Sequence, residues 1–341
     1  MGLVNTILML LTFAFVHQEV AITEARLDVG VDYGMLGNDL PSPPAVVQLY
    51  QLYNISKLRL FDPNPAALAA LKGSGIEVTL GTLNQDLQII ASSVDAAKTW
   101  FDTNVKPFIS EVNITYISAG NEVIPGELAK YVLPAIQNLQ NVVQGYGLAT
   151  IGVTTVVATT VLGTSYPPSI TTFSEAARAD IVGIVKFLSS SGSPLMINVY
   201  PYFAYASDLV NVRLDYAQFT ATGPVVQDGP LSYSNLLDAV VDAYYWALEK
   251  EGVTNLNLVI SESGWPSAGN GNFTTPALAQ IYNQNLVKRF LNNTGTPKHP
   301  DRSLGGFIFA MFNENQKPAG IEQNFGLFNP DATPVYDIVF N

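Results

Sequence analysis

The feature that most constrains the fold of this chain is a repeated alternation between short, β-branched apolar runs and longer segments with helical periodicity. The runs recur at roughly forty-residue spacing and are almost continuously apolar, as strands covered on both faces are. Eight strand-helix units of this kind predict an α/β fold, a (β/α)8 TIM barrel. The predicted strands are residues 26–34, 56–61, 76–82, 114–123, 149–156, 194–203, 256–266 and 305–315.

Helical periodicity fills the intervals, most clearly at residues 43–53, 94–109, 234–252 and 276–291. The rhythm becomes irregular between 157 and 193 and again around 204–232, where we expect extra loops or a small subdomain. No linker or shift in composition interrupts the chain, and 48% of its 341 residues are hydrophobic, enough for one large core. We therefore predict a single catalytic barrel domain over residues 26–341.

The N-terminal segment predicts export. Residues 3–16 form an apolar run that is too short and too close to the terminus for a convincing membrane span. Residues 23–25, Thr-Glu-Ala, place small side chains at the −3 and −1 positions of a cleavage site, so we predict a signal peptide at 1–25 and a secreted, extracellular protein. The alternative is an uncleaved anchor. Four glycosylation acceptor patterns agree with export, at Asn54, Asn113, Asn272 and Asn292.

The composition excludes several kinds of chemistry. The chain has no cysteine and two histidines, His17 in the predicted signal peptide and His299 in a loop where we expect a surface residue. These counts exclude a thiol nucleophile, a Cys-ligated zinc and a multi-histidine metal site, so we predict no cofactor and no metal. The net charge of −12 argues against nucleic acid or an anionic membrane as a partner. A neutral substrate, and carboxylates as the catalytic groups, fit better.

Carboxylates stand where barrel strands are predicted to end. Glu122 ends the fourth predicted strand, Glu262 the seventh and Glu314 the eighth, while Tyr33 and Tyr200 end the first and sixth. Because the C-terminal ends of barrel strands line the active-site mouth, these side chains are expected to converge there. Any one of the carboxylates could instead be a solvated loop residue. The pair formed by Glu122 and Glu262 is harder to explain in that way.

Two carboxylates, abundant aromatic residues and a neutral partner indicate glycoside hydrolysis. One carboxylic acid protonates the departing oxygen, while the other carboxylate attacks the anomeric carbon or activates water. Aromatic faces can cover the apolar faces of sugar rings, although packing in the core is the alternative for each of them. The candidates for such contacts are Tyr33, Tyr200, Phe203, Trp265 and Phe312.

A set of motifs carries a resemblance to a known family. In order and spacing, the plant glucan endo-1,3-β-glucosidases of glycoside hydrolase family 17 resemble this chain from about residue 27 to 340, through the segments VDYG, RLF, SAGNEV, NVYPYF, SESGWPS, FAMFNENQKP and EQNFGLFNPD. The resemblance implies a (β/α)8 barrel and retention of anomeric configuration. It also implies a β-glucan polysaccharide as partner, a monomer, and a place in the apoplast or cell wall.

The resemblance assigns roles to individual residues. Glu122 would be the acid/base and Glu262 the nucleophile, with Asn121, Glu314, Lys317 and Glu322 in the supporting polar network.

The chain departs from the family pattern in two places: Ser263 replaces the more usual threonine, and Asn313 stands where aspartate is common. We expect these differences to affect rate or pH optimum rather than the reaction. Two other functions stay open, a mixed-linkage 1,3;1,4-β-glucanase and a catalytically silent glucan-binding protein. The presence of both glutamates argues against the second.

Overall fold

A computed structural model of the chain describes residues 29–340. Eight parallel strands close into a barrel in the order β1-β2-β3-β4-β5-β6-β9-β10, with β10 pairing back onto β1. This confirms the predicted (β/α)8 barrel, whereas the predicted signal peptide, residues 1–25, lies outside the described residues. The strands are β1 Val29–Tyr33, β2 Lys57–Leu60, β3 Glu77–Gly81, β4 Asn113–Asn121, β5 Gly152–Ala158, β6 Leu195–Asn198, β9 Leu258–Glu262 and β10 Gly306–Ile308.

Helices connect the strands around the outside of the barrel. Polar side chains cap several of them: Ser93, Ser174, Asn235 and Thr275 each accept a hydrogen bond from a backbone N–H in the first turn. The helices are α1 Pro43–Leu52, α2 Pro65–Ala70, α3 Leu87–Ser92, α4 Val94–Asn104, α5 Ala129–Gly145, α6 Glu175–Ser191, α7 Pro201–Ser207, α8 Leu214–Ala217, α9 Leu236–Lys250 and α10 Pro276–Leu291.

Three strands are much shorter than the sequence predicted, mainly at their C-terminal ends: those predicted over 194–203, 256–266 and 305–315. The run predicted as a strand over 194–203 leaves the barrel after Asn198, because Pro201 starts helix α7 at a position where its missing N–H costs nothing. Strand β9 ends at Glu262 and β10 at Ile308. The residues that follow these ends are therefore free to build the mouth of the barrel.

The irregular region around 204–232 forms a small lobe, which consists of α8 and an antiparallel hairpin, β7 Val226–Asp228 and β8 Leu231–Tyr233. Tyr216 and Tyr233 pack with Ala239 of α9 in a hydrophobic cluster of their own. This confirms the expectation of extra loops or a small subdomain there. The other irregular region contains the β5–α6 loop, residues 159–174, ahead of helix α6.

The surface bears on two further predictions. All four acceptor asparagines, Asn54, Asn113, Asn272 and Asn292, are exposed. His299, which we predicted to be a surface residue, is partly buried: its ring packs against Tyr245 at 4.4 Å and 17% of its side chain is accessible. Across residues 29–340, no helix combines the length and apolar character that crossing a bilayer requires.

Helix α9 buries a carboxyl group, that of Asp242, behind the barrel wall. One of its oxygens accepts a hydrogen bond from the backbone N–H of Lys298 at 2.9 Å. Burial nevertheless raises the pKa of Asp242 to about 6, against hydrogen bonds from Thr296 and Lys298 that lower it. The ionised carboxylate is therefore less favourable in the folded chain than in the unfolded one.

We expect the Asp242→Asn substitution to stabilise the protein above pH 6. The folded-state pKa is raised, so ionisation lowers wild-type stability as the pH rises from about 4 to about 6, by up to about 3 kcal/mol. The asparagine keeps an oxygen for Lys298 but carries no charge. Denaturant unfolding at pH 4 and pH 7.5 measures the effect, with exposed Asp337→Asn as the control. An equal gain for Asp242→Asn at both pH values would contradict this account.

Candidate active site

The C-terminal ends of the barrel strands surround a cleft of about 1220 Å³. The structure brings all but two of the predicted site residues to its walls. Those that line it are Tyr33, Asn121, Glu122, Tyr200, Phe203, Glu262, Glu314, Lys317 and Glu322. The convergence expected at the barrel mouth is therefore found for residues that come from strands, loops and a helix far apart in sequence.

Trp265 and Phe312 do not face the cleft, and the prediction that they would contact sugar is wrong. Both are buried, with 0% and 1% of their surface exposed. Trp265 donates its indole N–H to the carbonyl of Phe273 at 2.9 Å and packs on Tyr202, while Phe312 packs edge-on against Tyr33. Strand β9 ends at Glu262, and three residues later the chain has already turned into the packing around the barrel.

A different set of aromatic residues forms one wall of the cleft. The Tyr200 ring contacts Phe203, Phe309 and Phe325 at centroid distances of 5.5, 6.1 and 5.7 Å, and Phe61 packs edge-on against Phe309. All five rings line the cleft, and Phe203 is the most exposed of them, at 43%. Sequence reasoning missed Phe61, Phe309 and Phe325, although two of them directly follow strand ends. The wall offers apolar faces to a ligand.

Arg59 on strand β2 is the central residue of the site, and sequence reasoning did not identify it. One guanidinium nitrogen donates to Glu262 Oε1 at 2.7 Å and to the Ser261 carbonyl at 3.2 Å, and the other donates to Asn121 Oδ1 at 2.8 Å. Arg59 is almost completely buried. Burial lowers the pKa of Arg59, but the neighbouring Glu262 and Asp32 raise it by more than burial lowers it. The net pKa is above the ordinary value, so the guanidinium stays charged. The sequence did contain a signal that could have identified Arg59, because an arginine inside an otherwise apolar strand is unusual.

Asp32 on strand β1 is a second buried carboxyl group beside Arg59. Its Oδ1 lies 3.4 Å from the guanidinium, and its Oδ2 has no hydrogen-bond partner among the described residues. Burial raises the pKa of Asp32 well above its ordinary value, Arg59 lowers it, and Glu262 adds to the rise. Of the two carboxyl groups, that of Glu262 is the closer to the guanidinium, at 2.7 Å against 3.4 Å.

Glu262 has both carboxylate oxygens fixed. Its Oε1 accepts from Arg59, and its Oε2 accepts a hydrogen bond from the Tyr200 hydroxyl at 2.8 Å. Only 6% of the residue is exposed, on the cleft side. Burial and the neighbouring Glu262 raise the pKa of Tyr200 well above 10, so its hydroxyl remains a donor. A carboxylate held in this way has one orientation toward the cleft.

Glu122 faces the same cleft in a different environment. It has φ of 56°, an uncommon left-handed conformation for a residue other than glycine, and its N–H donates to the Val156 carbonyl at 3.0 Å. Its Oε1 accepts from Asn198 Nδ2 at 2.8 Å. Although the side chain is exposed to the cleft, protein atoms around the carboxyl group raise the pKa of Glu122 by desolvation, and the Glu262 charge raises it further. This carboxyl group therefore retains its proton more readily than an ordinary glutamic acid.

Asn84, just after β3, binds both backbone polar groups of Asn121, the residue before Glu122. Its Oδ1 accepts from the backbone N–H of Asn121 at 2.8 Å, and its Nδ2 donates to the Asn121 carbonyl at 3.0 Å. Because both backbone groups of Asn121 are bound by one side chain, the chain direction into Glu122 is fixed. A left-handed residue costs about 1–3 kcal/mol and persists only where its surroundings hold it.

Glu314 and Lys317 pair next to the β1–α1 loop. Glu314 is buried, accepts from the Leu36 N–H at 2.8 Å and lies 3.4 Å from Lys317 Nζ, which also covers the Phe309 ring. A Cβ atom at Gly34 would lie 2.3 Å from Glu314 Oε2, so a side chain at this position would displace the Glu314 carboxylate. The pair shapes the cleft wall, whereas Glu322, also on the wall, adds to the rise in the pKa of Glu122.

Ser263 and Asn313, the two residues that depart from the family pattern, do not line the cleft. Ser263 is buried, with its hydroxyl 2.6 Å from the Tyr282 hydroxyl. Asn313 accepts from the Gly326 N–H at 2.9 Å. Both therefore act through packing and local hydrogen bonds.

Within residues 29–340, histidine, aspartate and glutamate side chains form no group of three that could hold a metal ion.

Comparisons with known proteins show which proteins this chain is similar to. The family model described as Glycosyl hydrolases family 17 matches residues 29–340. A probable glucan endo-1,3-β-glucosidase of Arabidopsis thaliana is 54% identical over 316 residues, which cover 92% of this chain and 91% of that protein. A putative glucan endo-1,3-β-glucosidase of Hordeum vulgare is 52% identical over 314 residues, covering 92% and 97%.

Solved structures show the same similarity. A β-1,3-glucanase and allergen of Cryptomeria japonica pollen superimposes with a TM-score of 0.88 at 48% identity, covering 92% of this chain and 99% of that one. A structure from a study of two plant β-glucan endohydrolases with distinct substrate specificities gives 0.88 at 43% identity, covering 91% and 100%.

Proposed function

The chain belongs to the glycosyl hydrolases of family 17, and from that premise we propose that it is a secreted, retaining endo-hydrolase of 1,3-β-glucan with Glu122 as acid/base and Glu262 as nucleophile. One observation carries the assignment of roles: two carboxyl groups at the ends of β4 and β9 face one cleft in opposite electrostatic environments. Arg59 and Tyr200 bind Glu262, whereas desolvation and a like charge surround Glu122.

The nucleophile must attack the anomeric carbon as a carboxylate and later leave as one. Arg59 supplies the positive charge for that form, and the Tyr200 hydroxyl holds the second oxygen. Attack forms a glycosyl ester at Glu262 and breaks the glycosidic bond. The same two donors then stabilise the charge that returns to Glu262 when water cleaves the ester. Since both donors are fixed before substrate arrives, little reorganisation is needed.

The acid/base residue must give up a proton in the first step and take one from water in the second. The raised pKa of Glu122 keeps its proton available for the leaving oxygen. Part of that rise comes from the Glu262 charge, which disappears when the ester forms. The pKa of Glu122 then falls, which favours the carboxylate that accepts a proton from water. Asn198 holds one oxygen in place, leaving the other for proton transfer.

The substrate class follows from the cleft and from the relatives. An aromatic wall and a cleft of about 1220 Å³ fit a neutral polymer lying across the barrel mouth. Relatives that share over half of their residues with this chain are named glucan endo-1,3-β-glucosidases. Mixed-linkage 1,3;1,4-glucan is the alternative, because a related solved structure comes from a study of endohydrolases with distinct specificities. A silent glucan-binding protein would not need two carboxyl groups in these environments.

The remaining parts of the proposal concern the whole protein. Export is supported by the apolar N-terminal segment and by the exposure of all four acceptor asparagines. We propose an extracellular location, in the apoplast or cell wall, with β-glucan as the partner and a monomeric enzyme. The acidic net charge is unfavourable for binding nucleic acid.

If Asn84 positions the Glu122 carboxyl group, the drop in kcat/KM caused by removing the Asn84 side chain should depend on how much the leaving group needs a proton. We expect Asn84→Ala to lower kcat/KM on unactivated 1,3-glucan by about 10- to 100-fold, because a displaced Glu122 transfers its proton poorly. The value for a 2,4-dinitrophenyl glycoside should fall less than threefold, since that leaving group needs no proton. Asn138→Ala, which removes two hydrogen bonds between α5 and α3 outside the cleft, is the matched control. Equal losses on both substrates would contradict a positioning role.

Product analysis tests the proposed activity. Linear 1,3-glucan and mixed-linkage 1,3;1,4-glucan are digested side by side, and the early products are separated by chain length. We expect short oligosaccharides from the linear 1,3-glucan and a rapid fall in its viscosity, because the cleft accommodates internal bonds. Glucose as the only early product would contradict internal cleavage. Faster release from mixed-linkage glucan would replace the proposed specificity with the alternative.

A further inference from the structure

The register of the barrel places Asp32 beside Arg59. Strands β1 and β2 pair in parallel with Asp32 opposite Arg59, so the two side chains project from the same face of the sheet. Because Arg59 reaches strands β4 and β9, which do not neighbour β2, that face is the inside of the barrel. Asp32 is completely buried, and its carbonyl accepts a hydrogen bond from the Met311 N–H at 2.9 Å. It is therefore a fixed part of the barrel interior.

One nitrogen of the Arg59 guanidinium has more acceptors than protons. Nη1 carries two protons. Three oxygens lie within hydrogen-bond distance of it: Glu262 Oε1 at 2.7 Å, the Ser261 carbonyl at 3.2 Å and Asp32 Oδ1 at 3.4 Å. The other oxygen of Asp32, Oδ2, has no hydrogen-bond partner among the described residues. Two carboxyl groups therefore share one nitrogen, and Asp32 has the weaker contact.

The charges near Asp32 balance when its carboxyl group keeps its proton. The titratable groups that interact with it are Arg59 on β2, Glu262 on β9, Lys317 after β10, Tyr50 on α1 and Tyr200 after β6. Lys317 pairs with Glu314 at 3.4 Å, so the Arg59 charge remains for one carboxylate, and Glu262 has the shorter contact. Burial raises the pKa of Asp32 well above its ordinary value, Arg59 lowers it, and the Glu262 charge adds to the rise. Ionisation of Asp32 would therefore place a second negative charge on the same guanidinium.

We propose that Asp32 is a positioning residue for the nucleophile that acts through Arg59: when Asp32 ionises, the guanidinium balances Asp32 instead of Glu262, and hydrolysis of the glycosyl ester slows. This inference rests on the proposed function. In the hydrolysis step water bonds to the anomeric carbon, the bond to Glu262 breaks with its electron pair left on the carboxylate, and Glu122 takes a proton from the water.

The ester is the state in which Asp32 matters most. While the ester exists, Glu262 carries no charge, and Arg59 is a buried cation without its closer counter-ion, which is costly. A protonated Asp32 leaves the guanidinium ready to balance the charge that returns to Glu262. An Asp32 that has lost its proton to solvent already balances the guanidinium and repels that returning charge.

An activated leaving group isolates the hydrolysis step. A 2,4-dinitrophenyl glycoside needs no proton to release its leaving group, so the ester forms quickly and its hydrolysis sets kcat. Hydrolysis uses Glu122 as a carboxylate, so deprotonation of Glu122 does not lower kcat on this donor at alkaline pH. On unactivated 1,3-glucan, in contrast, Glu122 must supply a proton, and activity falls when that proton is lost.

The test measures kcat between about pH 4 and about pH 9 for wild type, Asp32→Asn and the exposed control Asp337→Asn, with circular dichroism at each pH. On the 2,4-dinitrophenyl glycoside, wild type should lose kcat about three- to tenfold at the alkaline end, because a like charge makes Glu262 a poorer leaving group. Asp32→Asn keeps the shape of the protonated side chain and does not ionise, so its kcat should stay level there. Both should lose kcat/KM on 1,3-glucan at alkaline pH. Asp337→Asn should follow wild type throughout.

The outcomes separate this inference from the proposed function. An active wild-type enzyme whose kcat on the activated donor stays level at alkaline pH overturns the role of Asp32 alone. The same alkaline fall in Asp32→Asn, or a fall that coincides with unfolding, also overturns it. So does a loss in Asp32→Asn of equal size at every pH, because that indicates a structural effect. A wild-type protein that cleaves neither substrate overturns the proposed function, and this inference with it. If Asp32→Asn does not fold, Asp32→Ser takes its place with the same expected result.

Discussion

The buried guanidinium of Arg59 joins four strands of the barrel at the point where the chemistry is proposed to occur. It starts from β2 and reaches Asp32 on β1, Asn121 on β4, and the Ser261 carbonyl and Glu262 on β9. A buried guanidinium is costly unless its donors are paired and its charge is balanced. Glu262 provides that balance, so the interaction that makes this arginine tolerable in the barrel also fixes the proposed nucleophile. Fold and function therefore depend on the same ion pair.

The same network extends to the acid/base candidate. Asn121 accepts from Arg59 and is held through its backbone by Asn84, and Glu122 follows it directly in the chain. Asn198 binds Glu122 with its amide nitrogen and accepts from the Ser261 hydroxyl at 2.6 Å with its oxygen. Both carboxyl groups are thus positioned by residues that contact one another. This arrangement explains how a left-handed Glu122 can be kept at the cleft, and why its proton affinity responds to the charge on Glu262.

The sequence predicted the barrel and the two strand-end glutamates because both depend on local pattern. Buried parallel strands are continuous apolar runs, and a carboxylate at the end of such a run can be recognised from the sequence alone. Arg59 was missed because its partner lies 203 residues away, and Asn84 because its contacts are to backbone atoms 37 residues on. Trp265 and Phe312 were wrongly predicted to face the cleft, because an aromatic residue after a strand end can turn toward the cleft or toward the core. Which way it turns depends on the side chains packed around it.

Azide rescue of two variants, read by the anomeric configuration of the products, tests the assignment of Glu122 and Glu262 most directly. In Glu262→Gly, azide can enter the vacated space beside Arg59 and attack an activated β-glucosyl donor, so we predict the inverted α-glycosyl azide. In Glu122→Ala, Glu262 still forms the ester and azide attacks it from the opposite face, so we predict the β-glycosyl azide. NMR distinguishes the two products. Exchanged configurations would contradict the assigned roles, and full wild-type activity in either variant would show that its residue is not catalytic.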